Sequence, residues 1–202
     1  IYARYQARLQ AYNAVDFDDL IRLPLTLLEA EPDLAAGWRE RLRYLLVDEC
    51  QDTNGAQYRL LKQLAGPKGN MTCVGDDDQS IYAWRGAQPE NLDQLATDYP
   101  NLRVIKLEQN YRCTARILRC ANTLIEKNPH AHPKKLWSQH GDGEPVRVWQ
   151  CRNNEHEAER VAAEIHYLNQ GKEIPWGEFA ILFRGNHQSR PLEKALQLLR
   201  IP

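Results

Sequence analysis

Two short apolar runs in this chain each end in a group of carboxylates. Residues 44–47 lead into the pair Asp48 and Glu49, and residues 71–74 lead into Gly75 and the three aspartates 76–78. A short, continuous apolar run is typical of a strand that is buried on both faces of a parallel sheet. Because the carboxyl ends of parallel strands meet at one edge of a sheet, the two acidic groups are predicted to share that edge.

The rest of the chain alternates between strand and helix patterns. Apolar runs predict strands at residues 44–47, 71–74, 103–107, 146–150 and 178–183. Helical spacing of apolar residues predicts helices at residues 2–14, 17–28, 32–41, 56–64, 89–97, 115–127, 155–169 and 189–199. This alternation predicts an α/β fold of parallel sheets with flanking helices, in which Asp48, Asp76 and Glu108 each follow a strand.

Composition narrows the classes of function. The 202 residues carry 26 basic and 27 acidic side chains, for a formal net charge of -1. No overall field therefore attracts nucleic acid, and any DNA contact has to be local and partly by stacking. No apolar run approaches the length of a bilayer span, and no signal segment is expected. We predict a cytoplasmic protein without membrane contact, whose 5 cysteines are reduced thiols.

The pair Asp48 and Glu49 suits the hydrolysis of a nucleoside triphosphate. Enzymes of that kind hold Mg²⁺ with an aspartate and activate water with a neighbouring glutamate. The alternative is a solvated strand end that caps the next helix through Asp52.

The second acidic group opens a segment, residues 74–87, that favours the first alternative. Gln79 offers both a donor and an acceptor, as a residue that orients water or senses a terminal phosphate needs. Tyr82 and Trp84 offer flat surfaces that stack on unpaired bases, each worth ~1–3 kcal/mol. In the alternative interpretation Trp84 belongs to the core and Tyr82 to its rim.

A third segment, residues 107–112, lies where one group of strands and helices gives way to a second. We predict a domain boundary at residues 108–112. An arginine at that boundary, Arg112, can reach across an interdomain cleft to a γ-phosphate and stabilise its developing charge. A lone arginine is otherwise most often a surface residue.

Together these segments resemble the UvrD/Rep family of superfamily 1 DNA helicases. Residues 47–54 resemble the family's magnesium motif, residues 75–87 its third motif and residues 107–112 its fourth. Residues 15–21 and 180–190 are similar to further family segments, the latter most of all to the Rep branch. Cys50 stands where relatives usually carry an aromatic residue, which we expect to affect packing beside the site rather than the carboxylates.

The resemblance implies RecA-like parallel sheets in two motor domains, with ATP and Mg²⁺ as cofactors. It implies that Asp48 coordinates Mg²⁺, that Glu49 is the general base, and that Gln79 couples the γ-phosphate to DNA. Tyr111 would stack on the adenine of ATP, and Arg112 would be the arginine finger. The residues implied to contact or lie beside DNA are Tyr82, Trp84, Arg85, Asn186 and Arg190. Implied partners are single-stranded DNA, duplex junctions, and proteins of replication or repair.

The resemblance also implies an internal piece of a longer 3′→5′ DNA helicase or translocase. Residues 1–30 would be the tail of an inserted helical subdomain, residues 31–110 the C-terminal part of the first motor domain, and residues 111–202 the N-terminal part of the second. The phosphate-binding loop G-x-x-x-x-G-K-[ST] does not occur in these residues. We therefore expect the chain alone not to hydrolyse ATP.

Two other classes of protein are also compatible with these residues. The motor part of a RecB/AddA-like helicase-nuclease would share these motifs and would require an additional nuclease domain. A fragment that only binds single-stranded DNA would keep the stacking surface without the catalysis.

Overall fold

The structure, a computed structural model, describes residues 1–128 and 133–202. The chain divides into two compact units, residues 1–144 and residues 145–202. None of the described helices combines the length and the apolar character that a bilayer crossing needs.

Three helices open the first unit at the predicted places. They are α1 (Tyr2–Ala11), α2 (Asp19–Ala30) and α3 (Pro32–Arg41). The Asp16 carboxylate accepts a hydrogen bond from the backbone N–H of Asp19, the first residue of α2, at 2.8 Å and so holds the turn that leads into this helix. The buried residues Leu25 and Leu28 lie on α2, which packs against the later helix α4 (Gly55–Ala65).

Two parallel strands, β1 (Leu45–Val47) and β2 (Met71–Cys73), form the sheet of this unit, with Leu45 opposite Met71. Helix α4 connects them. It begins at a capping box in which Asn54 and Gln57 each accept a hydrogen bond from the other's backbone N–H, both at 2.9 Å. Because the strands run parallel, the acidic groups that follow them lie at the same edge of the sheet.

Three of the five predicted strands are not strands in the described part of the chain. Residues 103–107, 146–150 and 178–183 have no strand partner there. The described residues contain one small sheet of two parallel strands, so the prediction of RecA-like sheets was too specific. The prediction that Glu108 follows a strand was wrong. An apolar run predicts burial, but a strand also needs a neighbour for its N–H and C=O groups. Without one, Ile105, Val148 and Leu182 are exposed.

One core cluster of the first unit includes Val47 and Cys73, the last residues of the two strands. Its buried members Cys50, Tyr58 and Leu95 pack with the partly buried Val47 and Leu92. Cys50 thus contributes to packing beside the acidic pair, as predicted. Leu92 and Leu95 come from α5 (Glu90–Asp98), and helix α6 (Ala115–Ile125) follows further along the chain. Full burial of a side chain such as Leu95 contributes ~1.5–3 kcal/mol of stability.

The second unit is built around two packed helices. Helix α7 (Asn154–Lys172) starts where the Asn153 side chain accepts a hydrogen bond from the His156 N–H at 2.9 Å. It packs against α8 (Ser189–Leu198). The buried core members are Ala158, Ala162, Ile165, Ala195 and Ile201.

Candidate active site

The acidic pair follows β1 and is exposed. Asp48 Oδ1 accepts a hydrogen bond from the Glu49 N–H at 3.0 Å. Glu49 has a φ of 51°, in the left-handed region that side chains rarely adopt. The next N–H, that of Cys50, donates to the Val74 carbonyl at 2.9 Å and so anchors the turn to the end of β2. Backbone strain of this kind is concentrated at functional sites, where surrounding contacts hold it in place.

A buried glutamine joins the two acidic groups. The side chain of Gln51 is 1% exposed, and its Nε2 donates to Glu49 Oε2 at 2.7 Å. Its Oε1 accepts a hydrogen bond from the Asp76 N–H at 3.0 Å. One side-chain amide therefore fixes the Glu49 carboxylate against the segment that follows β2.

The two segments approach too closely for a side chain at position 75. A Cβ atom on Gly75 would lie 2.8 Å from Gln51 Oε1, well inside contact distance. The Ser80 hydroxyl adds a second link, because it donates to the Gln51 carbonyl at 3.3 Å. Gly75 is thus the residue that lets the Gln51 bridge form.

The three aspartates fold into a tight turn that holds Gln79. Asp76 Oδ1 accepts a hydrogen bond from the Asp78 N–H at 3.1 Å, and Asp76 Oδ2 accepts one from Gln79 Nε2 at 2.7 Å. Burial raises the pKa of Asp76, but hydrogen bonds from Lys134 and Gln79 outweigh burial and leave that pKa below its ordinary value. Asp76 is therefore the carboxylate that orients the Gln79 amide.

Lys134 lies among all three aspartates. Its Nζ is 2.5 Å from Asp76 Oδ1, 2.7 Å from Asp77 Oδ1 and 3.0 Å from Asp78 Oδ2. The Lys134 side chain is 21% exposed. Burial lowers its pKa, but the three carboxylates more than compensate and raise that pKa above the ordinary lysine value. Lys134 therefore stays charged at neutral pH.

An aromatic cluster stands on the exposed surface after this turn. The rings of Tyr82 and Trp84 lie 6.1 Å apart at 57°, and the Arg85 guanidinium is 5.1 Å from the first centroid and 4.5 Å from the second. Trp84 is 68% exposed, which excludes the alternative that it is a core residue. Exposed aromatic rings with an arginine guanidinium beside them are suited to stacking on unpaired bases.

The segment before α6 presents its two predicted nucleotide-binding residues to solvent. Asn110 Oδ1 accepts hydrogen bonds from the N–H groups of Arg112 and Cys113, at 3.0 and 2.7 Å. This turn leaves Arg112 exposed and Tyr111 75% exposed. The Tyr111 carbonyl is held by His140 Nε2 at 2.9 Å.

Asn186 and Arg190 belong to the second unit and are both exposed. Asn186 opens a single 3-10 turn, and its carbonyl accepts a hydrogen bond from the Ser189 hydroxyl at 2.9 Å. Their predicted contact with DNA stays a prediction.

In the structure, the predicted site residues Glu49 and Gln79 are connected by hydrogen bonds through residues that the sequence did not predict as part of the site. Gln51 links Glu49 to Asp76, and Asp76 links onward to Gln79 and Lys134. A glutamine two residues after an acidic pair is a signal that could have pointed to Gln51. No local pattern marks Lys134, which lies 58 residues from Asp76.

The donor atoms after β1 suit magnesium. Magnesium is bound in proteins through one or two carboxylates together with water and substrate phosphates, and Asp48 supplies an exposed carboxylate. The closest-packed acidic group among the described residues is instead Asp76 to Asp78, whose oxygens lie within 4.8 Å of one another. Because Lys134 already lies between these three, that turn fits an ammonium group rather than a metal.

Comparison with known proteins gives matches over nearly the whole chain. Residues 1–100 match the UvrD/REP helicase N-terminal domain, and residues 105–202 match the UvrD-like helicase C-terminal domain. The chain is 52% identical to the ATP-dependent DNA helicase Rep of Escherichia coli (strain K12), with all of the chain and 30% of that protein aligned. It is 46% identical to the helicase UvrD1 of Mycobacterium tuberculosis and 42% identical to the helicase PcrA of Leuconostoc citreum, in each case over 27% of the relative. The chain therefore spans less than a third of the length of these relatives.

Proposed function

We propose, from the premise that the chain belongs to the UvrD/REP helicase family, that it is the central part of an ATP-dependent DNA helicase. The protein would use ATP hydrolysis to move 3′ to 5′ along single-stranded DNA and to open duplex junctions. The direction rests on family resemblance alone. Residues 1–30, 31–110 and 111–202 would be the subdomain tail and the parts of two motor domains described above.

One observation carries this proposal more than any other. A continuous run of hydrogen bonds leads from Glu49 through Gln51 and Asp76 to Gln79, at 2.7, 3.0 and 2.7 Å. If Glu49 is the general base and Gln79 senses the γ-phosphate, these bonds tie the group that activates water to the group that reports the state of the nucleotide. The exposed aromatic cluster begins at Tyr82, six residues after Asp76 along the chain. In a motor of this kind, the residues that hydrolyse ATP have to be coupled to the residues that contact DNA.

Each candidate residue has a proposed part in hydrolysis. Asp48 would hold Mg²⁺, which when bound neutralises phosphate charge. Glu49 would take the proton from the attacking water. The exposed ring of Tyr111 would stack on adenine, and the exposed Arg112 would stabilise charge on the transferred phosphoryl group.

The DNA contacts are proposed at two places. Tyr82 and Trp84 would stack on successive bases, with Arg85 completing the surface beside them. Asn186 and Arg190 would contribute from the second motor domain. We further propose that the protein acts in the cytoplasm with partners in replication or repair.

The proposal is tested with the full-length protein. ATP hydrolysis is measured with and without single-stranded DNA, and unwinding is measured on duplexes with a 3′ or a 5′ tail. We expect hydrolysis to be stimulated by DNA, unwinding to require the 3′ tail, and both to be lost in Asp48→Ala. Degradation of the DNA would instead support the helicase-nuclease alternative, and DNA binding without any hydrolysis would leave only the binding module.

A further inference from the structure

The lysine at the centre of the acidic turn is carried by a segment that is itself anchored next to the predicted arginine finger. Trp137 N–H donates to the Glu108 carbonyl at 3.0 Å, and the Asn110 N–H donates to the Trp137 carbonyl at 2.7 Å. The Lys135 N–H adds a bond to Glu108 Oε1 at 2.8 Å. The backbone around Lys134 is therefore fixed to the residues that lead into Tyr111 and Arg112.

A second anchor holds the same segment to helix α6. The side-chain amide of Asn122 donates to the Leu136 carbonyl at 2.8 Å and accepts from the Leu136 N–H at 3.1 Å. The residues directly after Lys134 are therefore held both by the segment before α6 and by α6 itself.

The match between the lysine and the turn is chemical as well as spatial. Three neighbouring carboxylates repel one another, and the Lys134 ammonium lies within 3.0 Å of one oxygen of each while donating hydrogen bonds to Asp76 and Asp77. The Asp78 side chain is 7% exposed and those of Asp76 and Asp77 are 26% exposed, so water screens these charges only in part. Removing the ammonium would take away the hydrogen bonds that Lys134 donates to Asp76 and Asp77, and any movement of Asp76 would carry the Gln79 amide with it.

We propose that Lys134 is a positioning residue that makes ATP hydrolysis respond to DNA. It does so by holding Asp76, and through Asp76 the Gln79 amide, at a fixed place relative to the segment with Tyr111 and Arg112. The aspartates lie in the residues that match the N-terminal helicase domain, whereas Lys134 lies in those that match the C-terminal domain. Lys134 is thus a link between the two halves of the motor. This inference rests on the proposed helicase function.

The test uses three variants of the full-length protein. Lys134→Met keeps the length of the side chain but removes its charge, Lys134→Arg keeps the charge, and Lys135→Met is the matched control on the neighbouring exposed lysine. For each, kcat and KM for ATP are measured with and without saturating single-stranded DNA, together with the melting temperature.

We expect Lys134→Met to lower the DNA-stimulated kcat by about 10- to 100-fold, the size of effect seen when the hydrogen-bonding partners that orient metal ligands are removed. KM for ATP should stay near wild type and DNA-free turnover should fall much less than the DNA-stimulated kcat. Lys134→Arg should recover part of the stimulation, and Lys135→Met should match wild type. If Lys134→Met folds poorly, Asp77→Asn replaces it, since it removes one acceptor of the ammonium and should weaken the stimulation in the same way.

Three results would overturn the inference. The first is a DNA stimulation in Lys134→Met equal to that in Lys135→Met. The second is a parallel loss of kcat with and without DNA and of melting temperature in Lys134→Met, with no recovery in Lys134→Arg. The third, which applies if Lys134→Met is unstable, is an unchanged DNA stimulation in Asp77→Asn. A wild-type protein whose hydrolysis does not respond to DNA would refute the proposed function itself, and this inference with it. The wild-type measurement therefore separates the two failures.

Discussion

The buried Gln51 side chain donates a hydrogen bond to the Glu49 carboxylate at 2.7 Å. The same amide accepts from the Asp76 N–H at 3.0 Å. Both ends of the amide are thus used, which makes the bridge rigid and makes its loss costly, because a buried polar group without a partner costs about 1–3 kcal/mol.

Gln51→Met should therefore slow hydrolysis more than it weakens ATP binding. The apolar side chain fills a similar space but releases the Glu49 carboxylate, and we expect kcat of the full-length protein to fall by roughly 10- to 100-fold. The measurement is kcat and KM for ATP at saturating DNA. The matched control is Gln57→Ala, which breaks the capping box of α4 and should lower stability by ~1 kcal/mol with little change in kcat. Equal kcat losses in the two variants would contradict a special role for Gln51.

Glu49→Gln should abolish turnover while ATP still binds. The substitution keeps the size of the side chain and leaves an oxygen that can accept the Gln51 hydrogen bond, but it removes the base. We expect kcat of the full-length protein to fall by about 10²–10⁴-fold, with ATP affinity measured by equilibrium binding close to wild type. Near-normal turnover would show that another residue activates the water.

Trp84→Ala and Arg112→Ala should separate DNA contact from chemistry. Loss of the exposed Trp84 ring should weaken single-strand affinity by ~1–3 kcal/mol and spare ATP affinity. Loss of Arg112 should reduce turnover at saturating DNA by about 10³–10⁵-fold, far more than it reduces DNA binding. DNA affinity, ATP affinity and turnover are measured for both variants.

The controls for this pair are an exposed tryptophan and an exposed arginine outside the candidate site, Trp38→Ala and Arg103→Ala. Neither should change DNA affinity or turnover. Parallel losses of all three quantities in Trp84→Ala and Arg112→Ala, together with a lower melting temperature, would mean that both residues are structural.

Asp76→Asn should destabilise the chain at neutral pH but not in acid. The pKa of Asp76 is lower in the folded chain than its ordinary value, so the charged form stabilises the fold. That contribution is complete above the ordinary aspartate pKa of about 4 and is lost as the pH falls through the lowered value. The difference in melting temperature between wild type and Asp76→Asn should be constant between about pH 5 and 8 and shrink below about pH 4. A difference that grows in acid would contradict the ion pair with Lys134.

The helices and the first two strands were predictable because their signals are local. The apolar spacing of α2 and α7 and the acidic ends of β1 and β2 are encoded in neighbouring residues. The three missing strands show the limit of the same reasoning. Residues 103–107, 146–150 and 178–183 are rich in the β-branched, aromatic and aliphatic side chains typical of strands. A strand nevertheless depends on a partner whose identity no local pattern contains.

The sequence by itself determined the family, the acidic groups at one edge of a parallel pair, and the candidate residues Glu49, Gln79, Trp84 and Arg112, since each belongs to a motif of adjacent residues. Only the tertiary structure decided how these motifs are joined. Gln51 meets Asp76 across 25 residues, and Lys134 meets it across 58. Hydrogen bonds and ion pairs act over about 3 Å in space regardless of separation along the chain, so their partners are known only once the chain is folded.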